Sequence, residues 1–208
     1  MRTLNQWLPL ALLTLAVPAP VTAQDEIDDA ITALLAGMSL EEKAGQMTQL
    51  TLGAVSRAEA SPANPDGHQL DMEKLRHAIV EKHVGSILNV HGMALSARRW
   101  HEILTRIQDL ATTETRQKIP ILYGIDSVHG ANYVREATLF PHNINLAATW
   151  DPDLVEQVHA VTALETRAAG IPWNFGPCID VGRQPLWSRF AETFGEDVHV
   201  SEVLGAAA

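Results

Sequence analysis

The order of hydrophobic and polar positions along the chain predicts helices that alternate with strands. Helical periodicity and helix start signals predict helices over residues 25–35, 71–82, 96–110 and 151–170, one more from residue 39 and another from near residue 197. Short apolar runs predict strands over residues 86–90, 119–125 and 171–181. Long loops are expected over residues 51–70, 126–148 and from 182 onward. This alternation predicts an α/β fold with a parallel sheet.

Several predicted helix ends carry capping residues. Ser39 and Glu42 have the spacing of a capping box, in which each side chain accepts a hydrogen bond from the other residue's backbone amide. Asp151 followed by Pro152 is typical of a first turn, and Gly170 is typical of the position after a last turn. The helix over residues 96–110 is expected to bury one apolar stripe, formed by Trp100, Ile103, Leu104, Ile107 and Leu110.

The first 23 residues have the pattern of a secretory signal peptide. Arg2 precedes an apolar stretch over residues 7–17, then Pro18 and Pro20 follow, and small residues end at Ala23. The apolar stretch is shorter than the roughly 20 residues that a membrane-spanning helix needs. We therefore expect cleavage after Ala23, a periplasmic or secreted protein, and no membrane span after cleavage.

Composition and charge narrow the classes of function. Hydrophobic residues make up 46% of the 208 residues, which is enough for a folded core. Lys and Arg number 15 against 25 Asp and Glu, and the net charge of −10 disfavours nucleic-acid binding. The single cysteine, Cys178, excludes an internal disulfide and a multi-cysteine metal site. No Gly-x-Gly-x-x-Gly motif follows a predicted strand, and no metal or organic cofactor is indicated.

Candidate chemistry lies where two predicted strands end. Asp126 directly follows the apolar run 119–125, and Asp180 lies near the end of the run 171–181. In parallel α/β folds sites form at this end of the sheet, and carboxylates there suit the binding of hydroxyl groups. Two interpretations of Asp180 stay open: it binds a ligand, or it fixes its own loop by pairing with Arg183.

Other catalytic classes lack parts of their motifs. His101-Glu102 has no second histidine at the spacing of a zinc protease, and Ser127 lacks the glycine-flanked elbow of a serine hydrolase. His129 and His142 are interpreted as structural histidines held by hydrogen bonds. Three tryptophans could stack on sugar rings, but core packing is the preferred interpretation of each: Trp150, Trp173 and Trp187.

Five stretches together resemble glycoside hydrolase family 3, in its β-glucosidase and exo-β-glucanase branch. They are residues 38–43 (MSLEEK), 119–132 (IPILYGIDSVHGAN), 137–143 (ATLFPHN), 148–152 (ATWDP) and 192–197 (ETFGED). The resemblance covers about residues 25–208. It implies the N-terminal part of a (β/α)₈ TIM-type barrel, incomplete in this chain, with residues 24–208 as that portion and residues 1–23 as the signal peptide.

The resemblance also implies a site and a reaction. Asp126 and Arg189 match residues that hold the hydroxyls of a terminal glucose, and Asp180 is a further candidate for substrate binding. Arg189 has an alternative role, an ion pair with Glu192 or Glu196. The chain departs from the family at residues 184–189, where Gln-Pro-Leu-Trp-Ser-Arg replaces a pattern like Asp-Pro-Arg-Trp-Gly-Arg. The implied substrate is a small β-glucoside or oligosaccharide.

No catalytic residue is assigned within the chain. The family's retaining mechanism needs a nucleophilic carboxylate and an acid/base carboxyl group, and both match positions beyond residue 208. We therefore expect a glycoside hydrolase fragment that lacks the C-terminal part of its own barrel and is inactive alone. The alternative is a non-catalytic sugar-binding or scaffold module. The apolar end of the chain, Ala206-Ala207-Ala208, favours truncation.

Overall fold

The computed structural model describes residues 23–208. The predicted signal peptide therefore lies outside the described residues, except for Ala23. The chain divides into two units, which join at residues 37 and 38 and are treated separately. In the first unit helix α1 spans Ala23–Gly37, where the sequence predicts a helix over 25–35. Over residues 23–208 no helix combines the length and the apolar character needed to cross a membrane.

The second unit alternates helices and strands. Its helices are α2 (Leu40–Gln46), α3 (Met72–Arg76), α4 (Ala97–Glu114), α5 (Asn143–Ala147), α6 (Pro152–Ala168) and α7 (Val198–Ala207). Its strands are β1 (Gln49–Thr51), β2 (Ser56–Ala58), β3 (Gln69–Leu70), β4 (Ser86–Leu88), β5 (Leu122–Ile125) and β6 (Trp173–Asn174). A π-helical turn, His77–Glu81, extends α3, and 3₁₀ turns cover Leu52–Val55 and Phe190–Glu192.

Four strands form one parallel sheet in the order β1-β4-β5-β6. Leu50 pairs with Ile87, Ile87 with Tyr123, and Ile125 with Asn174. Helix α4 connects β4 to β5, and α6 lies between β5 and β6 in the chain. These parallel strands with helical connections confirm the predicted α/β fold. Their carboxyl ends lie at one edge of the sheet, where the candidate site forms.

The predicted stripe of α4 forms much of the core. All five of its apolar residues are buried, and Trp100 and Ile107 are fully inaccessible. The Trp100 ring lies edge-on to Tyr123 on β5, with ring centroids 5.6 Å apart, and its indole N–H donates to the Tyr133 carbonyl at 2.9 Å. Each such fully buried large side chain stabilises the fold by about 1.5–3 kcal/mol. The core therefore anchors β5, whose end carries Asp126.

The predicted helix caps are confirmed. The Glu42 amide donates to the Ser39 hydroxyl, and the Ser39 amide donates to the Glu42 carboxylate, which completes the capping box. Arg116 also donates to that carboxylate, and this hydrogen bond is the main reason why the pKa of Glu42 falls to about 2. Asp151 caps α6 ahead of Pro152, and Gly170 follows that helix with a φ of +88°.

The loops and the last predicted strand differ from the expectation. Residues 51–70 contain a small antiparallel pair, β2 and β3, and α5 lies within the expected connection 126–148. The run 171–181 is strand only at Trp173–Asn174. Soon after it comes Pro177, which has no N–H for a ladder. Strand β1 has a mixed polar sequence and therefore gives no apolar run, so its pairing with β4 is visible only in the fold.

The preferred interpretation of the three tryptophans as core residues is wrong. Trp150 is 72% exposed, and Trp173 and Trp187 are 38% and 36% exposed. Trp150 lies in the turn between α5 and α6 with a φ of +54°, Trp173 lies on the end strand of the sheet, and Trp187 lies in the long loop. Turn, loop and sheet-edge positions are covered on fewer sides than core positions, which explains the exposure.

Candidate functional site

Two polar side chains meet where β4 and β5 end. Asn89 directly follows β4, and Asp126 directly follows β5. The Asn89 amide nitrogen, Nδ2, donates to Oδ2 of Asp126 at 2.7 Å, and the Asp126 backbone N–H donates to Oδ1 of Asn89 at 2.9 Å. This reciprocal pair of hydrogen bonds fixes the orientation of the carboxylate. Sequence reasoning missed Asn89 because the predicted strand 86–90 enclosed it, although a polar residue at a strand end is a usable signal.

The backbone around Asn89 is also held. Its φ of +51° lies in the left-handed region, which asparagine tolerates better than most residues. Its N–H donates to the Gly124 carbonyl at 3.0 Å, and its carbonyl accepts from the Tyr123 hydroxyl at 2.7 Å. Burial raises the pKa of Tyr123 well above its usual value, so the hydroxyl stays protonated and can donate. The core residue Tyr123 thus helps to position the site.

Arg189 reaches Asp126 from the loop that precedes the turn Phe190–Glu192. Its Nη2 lies 3.4 Å from Oδ1 of Asp126, and its Nε donates to Oε2 of Glu192 at 2.8 Å. The hydrogen bond to Glu192 is the main reason why the pKa of Arg189 is raised above its usual value. The sequence suggested Glu192 or Glu196 as the ion-pair partner of Arg189. The structure shows the ion pair with Glu192, and among the described residues Arg189 forms none with Glu196.

Asp126 and Arg189 line a pocket of about 310 Å³. That volume is at the lower end of the range for small-molecule sites. Its wall is mostly polar and comprises Asp126, Val128, His129, Asn132, Tyr133, His142, Arg189 and Glu192. Carboxylates that accept and a guanidinium that donates suit a ligand whose neighbouring hydroxyl groups do both.

Two histidines form one side of this pocket. The rings of His129 and His142 lie 4.2 Å apart between centroids, and Nδ1 of His129 lies 3.2 Å from the Phe140 carbonyl. This contact confirms that His129 is held by a hydrogen bond, whereas a purely structural role stays a prediction. The same interpretation of His142 is wrong at Nδ1, because that atom is buried without a hydrogen-bond partner among the described residues. Burial, assisted by the nearby His129, lowers the pKa of His142 and favours its neutral form.

Asp180 lies apart from the pocket lining. Its side chain is exposed, and the Cys178 thiol donates to its Oδ2 at 3.2 Å. Burial, with a further contribution from Asp180, raises the pKa of Cys178 to about 11. The alternative in which Asp180 pairs with Arg183 is wrong, because the ion pairs found over residues 23–208 do not include it. Asp180 as a substrate ligand stays a prediction.

No metal centre accompanies this pocket in the part of the chain that the structure describes. Over residues 23–208 no three His, Cys, Asp or Glu side chains come together in an arrangement that could hold a metal ion.

Comparisons with known proteins place the chain in a family. A family model described as the glycosyl hydrolase family 3 N terminal domain matches residues 39–208. The chain belongs to glycoside hydrolase family 3. It is 40% identical over 189 residues to the lysosomal beta glucosidase of Dictyostelium discoideum, with 87% of this chain and 22% of that protein covered. It is 31% identical over 178 residues to the periplasmic beta-glucosidase of Salmonella typhimurium, with coverages of 86% and 20%.

Solved structures agree with the family and the fold. An exo-1,3/1,4-beta-glucanase from a Pseudoalteromonas species superimposes with a TM-score of 0.70 at 30% identity. That match covers 88% of this chain and 21% of that one. The chain thus spans about a fifth of the length of these relatives. Its parallel sheet and helices form part of the barrel-type α/β domain of the family, as the resemblance implied.

Proposed function

We propose that this chain supplies the sugar-binding part of a β-glucosidase site. This part of the site binds the terminal non-reducing β-glucosyl residue of a small glucoside or oligosaccharide. The observation that carries the proposal is the convergence of Asp126 and Arg189 in one pocket at the carboxyl ends of parallel strands. Both residues match the positions that the family resemblance assigns to the hydroxyls of glucose. Membership of glycoside hydrolase family 3 supports the same ligand class.

The two side chains divide the hydrogen bonds that a sugar needs. The Asp126 carboxylate accepts from hydroxyl groups, and an ionised acceptor makes short, charge-assisted hydrogen bonds. The planar Arg189 guanidinium donates to two neighbouring oxygens at once. Asp180 is proposed as an additional acceptor for a part of the substrate outside the pocket, where its exposed carboxylate is available.

The proposed reaction of the whole enzyme is retaining double displacement. That reaction uses one carboxylate as nucleophile and a second carboxyl group, about 5–5.5 Å away, as acid and base. The pocket carboxylates of Asp126 and Glu192 both lie against Arg189, an arrangement that supports binding roles for them. We therefore assign no catalytic residue here, and the 208-residue chain alone is proposed to bind sugar without hydrolysing it.

The proposed location is the periplasm or the exterior of the cell. Residues 1–23 carry the pattern of an export signal, and the Salmonella typhimurium relative is named as a periplasmic protein. Mass spectrometry of the mature protein from a bacterial periplasm tests this proposal. Cleavage after Ala23 is the expected result, and a cytoplasmic protein that retains its first residue contradicts it.

A binding experiment tests the proposed function. Glucose is titrated into the 208-residue chain and into Asp126→Ala while ligand-observed NMR reports the affinity. Asp109→Ala, which removes an exposed carboxylate from α4, is the matched control. We expect the wild type and the control to bind alike and Asp126→Ala to bind at least about tenfold more weakly, because a charge-assisted hydrogen bond is lost. Absence of binding by the wild type, or equal binding by Asp126→Ala, overturns the proposal.

A further inference from the structure

We infer that Asn89 is a positioning residue for sugar binding, which acts through the Asp126 carboxylate. The inference rests on the proposed function and adds to it a residue outside the lining of the pocket. Asn89 touches Asp126 through two hydrogen bonds, and it joins the ends of β4 and β5. Asn89 therefore acts on a sugar held by Asp126 only indirectly, through the Asp126 carboxylate.

One of these two hydrogen bonds, from the Asn89 amide, reaches the Asp126 carboxylate and makes its two oxygens unequal. Oδ2 accepts from the Asn89 amide at 2.7 Å, whereas Oδ1 faces the Arg189 guanidinium at 3.4 Å. A carboxylate offers roughly four lone-pair positions. One hydrogen bond from Asn89 therefore fixes the rotation of the group and still leaves acceptor positions for sugar hydroxyls.

Asn89 can hold Asp126 because the core holds Asn89. The buried Tyr123 hydroxyl donates to its carbonyl, and its N–H donates to the Gly124 carbonyl. The ring of Tyr123 packs edge-on against Trp100, which lies in the core stripe of α4. The orientation of Asp126 is thus set by contacts that lead from α4 through β5 to Asn89.

The amide group of Asn89 meets a specific electrostatic requirement. Its Nδ2 is a neutral donor placed 2.7 Å from a carboxylate oxygen. An aspartate at this position keeps the size of the side chain and also tolerates the left-handed backbone. It replaces the donor with a second carboxylate, however, and two like charges at this distance repel. A glycine tolerates the same backbone and removes the side chain altogether.

These substitutions separate positioning from a merely structural role. Glucose affinity and thermal midpoint are measured for Asn89→Gly, Asn89→Asp, Asp126→Ala and the double variant Asn89→Gly/Asp126→Ala. We expect Asn89→Gly to weaken glucose binding about tenfold and to change it less than about twofold when Asp126 is already alanine. Equal weakening in both backgrounds, or wild-type binding by Asn89→Gly, overturns the inference.

The pH dependence of Asn89→Asp gives a second readout. At neutral pH we expect this variant to bind more weakly than Asn89→Gly. As the pH falls, a proton shared by the two carboxyl groups restores a hydrogen bond, and the affinity approaches that of the wild type. Arg189, Glu192, His129 and His142 share the pocket with Asp126, so the wild type at each pH is the reference. If the ratio of the glucose affinity of Asn89→Asp to that of the wild type is the same at every pH, the inference is contradicted.

The same data distinguish two kinds of failure. If the wild-type chain does not bind glucose, the proposed function fails, and the role of Asn89 fails with it. If the wild type binds and Asp126→Ala does not, but Asn89→Gly binds like the wild type, only the role of Asn89 fails. A fall in thermal midpoint that occurs without coupling to Asp126 assigns Asn89 a structural role and overturns the inference.

Discussion

The Asp126 carboxylate lies 3.4 Å from the Arg189 guanidinium, although 63 positions separate the two residues in the chain. Asp126 is placed by the end of β5, whereas Arg189 comes from the loop beyond β6. The contact between Asp126 and Arg189 therefore needs both β5 and the loop beyond β6. The contact depends on the parallel pairing of β5 with β6, which brings the chain that follows both strands to the same edge of the sheet.

Removal of Glu192 is expected to weaken sugar binding through Arg189. Glu192 accepts from Nε of Arg189 at 2.8 Å and thereby orients the guanidinium toward Asp126. We expect Glu192→Ala to weaken glucose binding by about threefold to tenfold, because Glu192 acts on the sugar only through the orientation of Arg189; this loss matches the net contribution of one ordinary hydrogen bond, about 0.5–1.5 kcal/mol. The measurement is an NMR titration. Glu196→Ala removes an exposed carboxylate outside the Arg189 ion pair and should bind like the wild type; equal losses in the two variants contradict the prediction.

The chain alone is expected to show no glycosidase activity. A retaining mechanism needs two suitably placed carboxyl groups, and both pocket carboxylates are assigned to binding. The measurement is the release of chromophore from an aryl β-glucoside by the purified 208-residue chain. Turnover that persists in Asp126→Ala but is lost on substitution of another carboxylate in this chain would show that the assignment of roles is wrong.

A low pH is expected to weaken the ion pair between Glu42 and Arg116. The pKa of Glu42 is lowered from 4.5 to about 2, chiefly by the hydrogen bond from Arg116. A lowered folded-state pKa stabilises the protein above the unfolded value of 4.5, and this stabilisation is lost as the pH falls toward 2. Glu42→Gln keeps a capping side chain but removes the charge.

Thermal unfolding as a function of pH measures that contribution. The thermal midpoint of Glu42→Gln should lie below that of the wild type at about pH 6, and the difference should shrink as the pH falls from about 4.5 toward 2. Glu156→Gln, on the exposed face of α6, is the control and should leave the midpoint unchanged. A difference between wild type and Glu42→Gln that is the same at every pH contradicts the ionic explanation.

An alanine at Gly124 is expected to destabilise the sheet next to the site. A Cβ at Gly124 would lie 2.3 Å from Cζ of Phe175, so the ring would have to move. Overpacking of this kind costs about 1–3 kcal/mol, which chemical denaturation measures directly. Gly37→Ala at the end of α1 meets no atom within 4 Å and is the control. Equal free energies of unfolding for wild type and Gly124→Ala would exclude the steric explanation.

Patterns within short stretches of the chain were sufficient to predict the helices and two residues of the site, Asp126 and Arg189. The capping box at Ser39, the Asp151 cap and the buried stripe of α4 all depend on residues within a few positions of one another. The resemblance to a family rested on short ordered motifs, and it led to Asp126 and Arg189. The structure brings those two residues together, while their binding of sugar stays a prediction.

The remaining features depend on contacts between distant segments. Strand β1 has no strand-like apolar run and exists through its pairing with β4, and β6 ends early despite an apolar run. The exposure of Trp150 and the left-handed backbone of Asn89 likewise follow from neighbours and turns. The sequence by itself determined the helix caps and the buried helix faces, because these depend on hydrogen bonds and periodic burial within a few neighbouring residues. Tertiary structure alone decided which side chains meet Asp126, because Asn89 and Arg189 reach it only through the pairing of parallel strands.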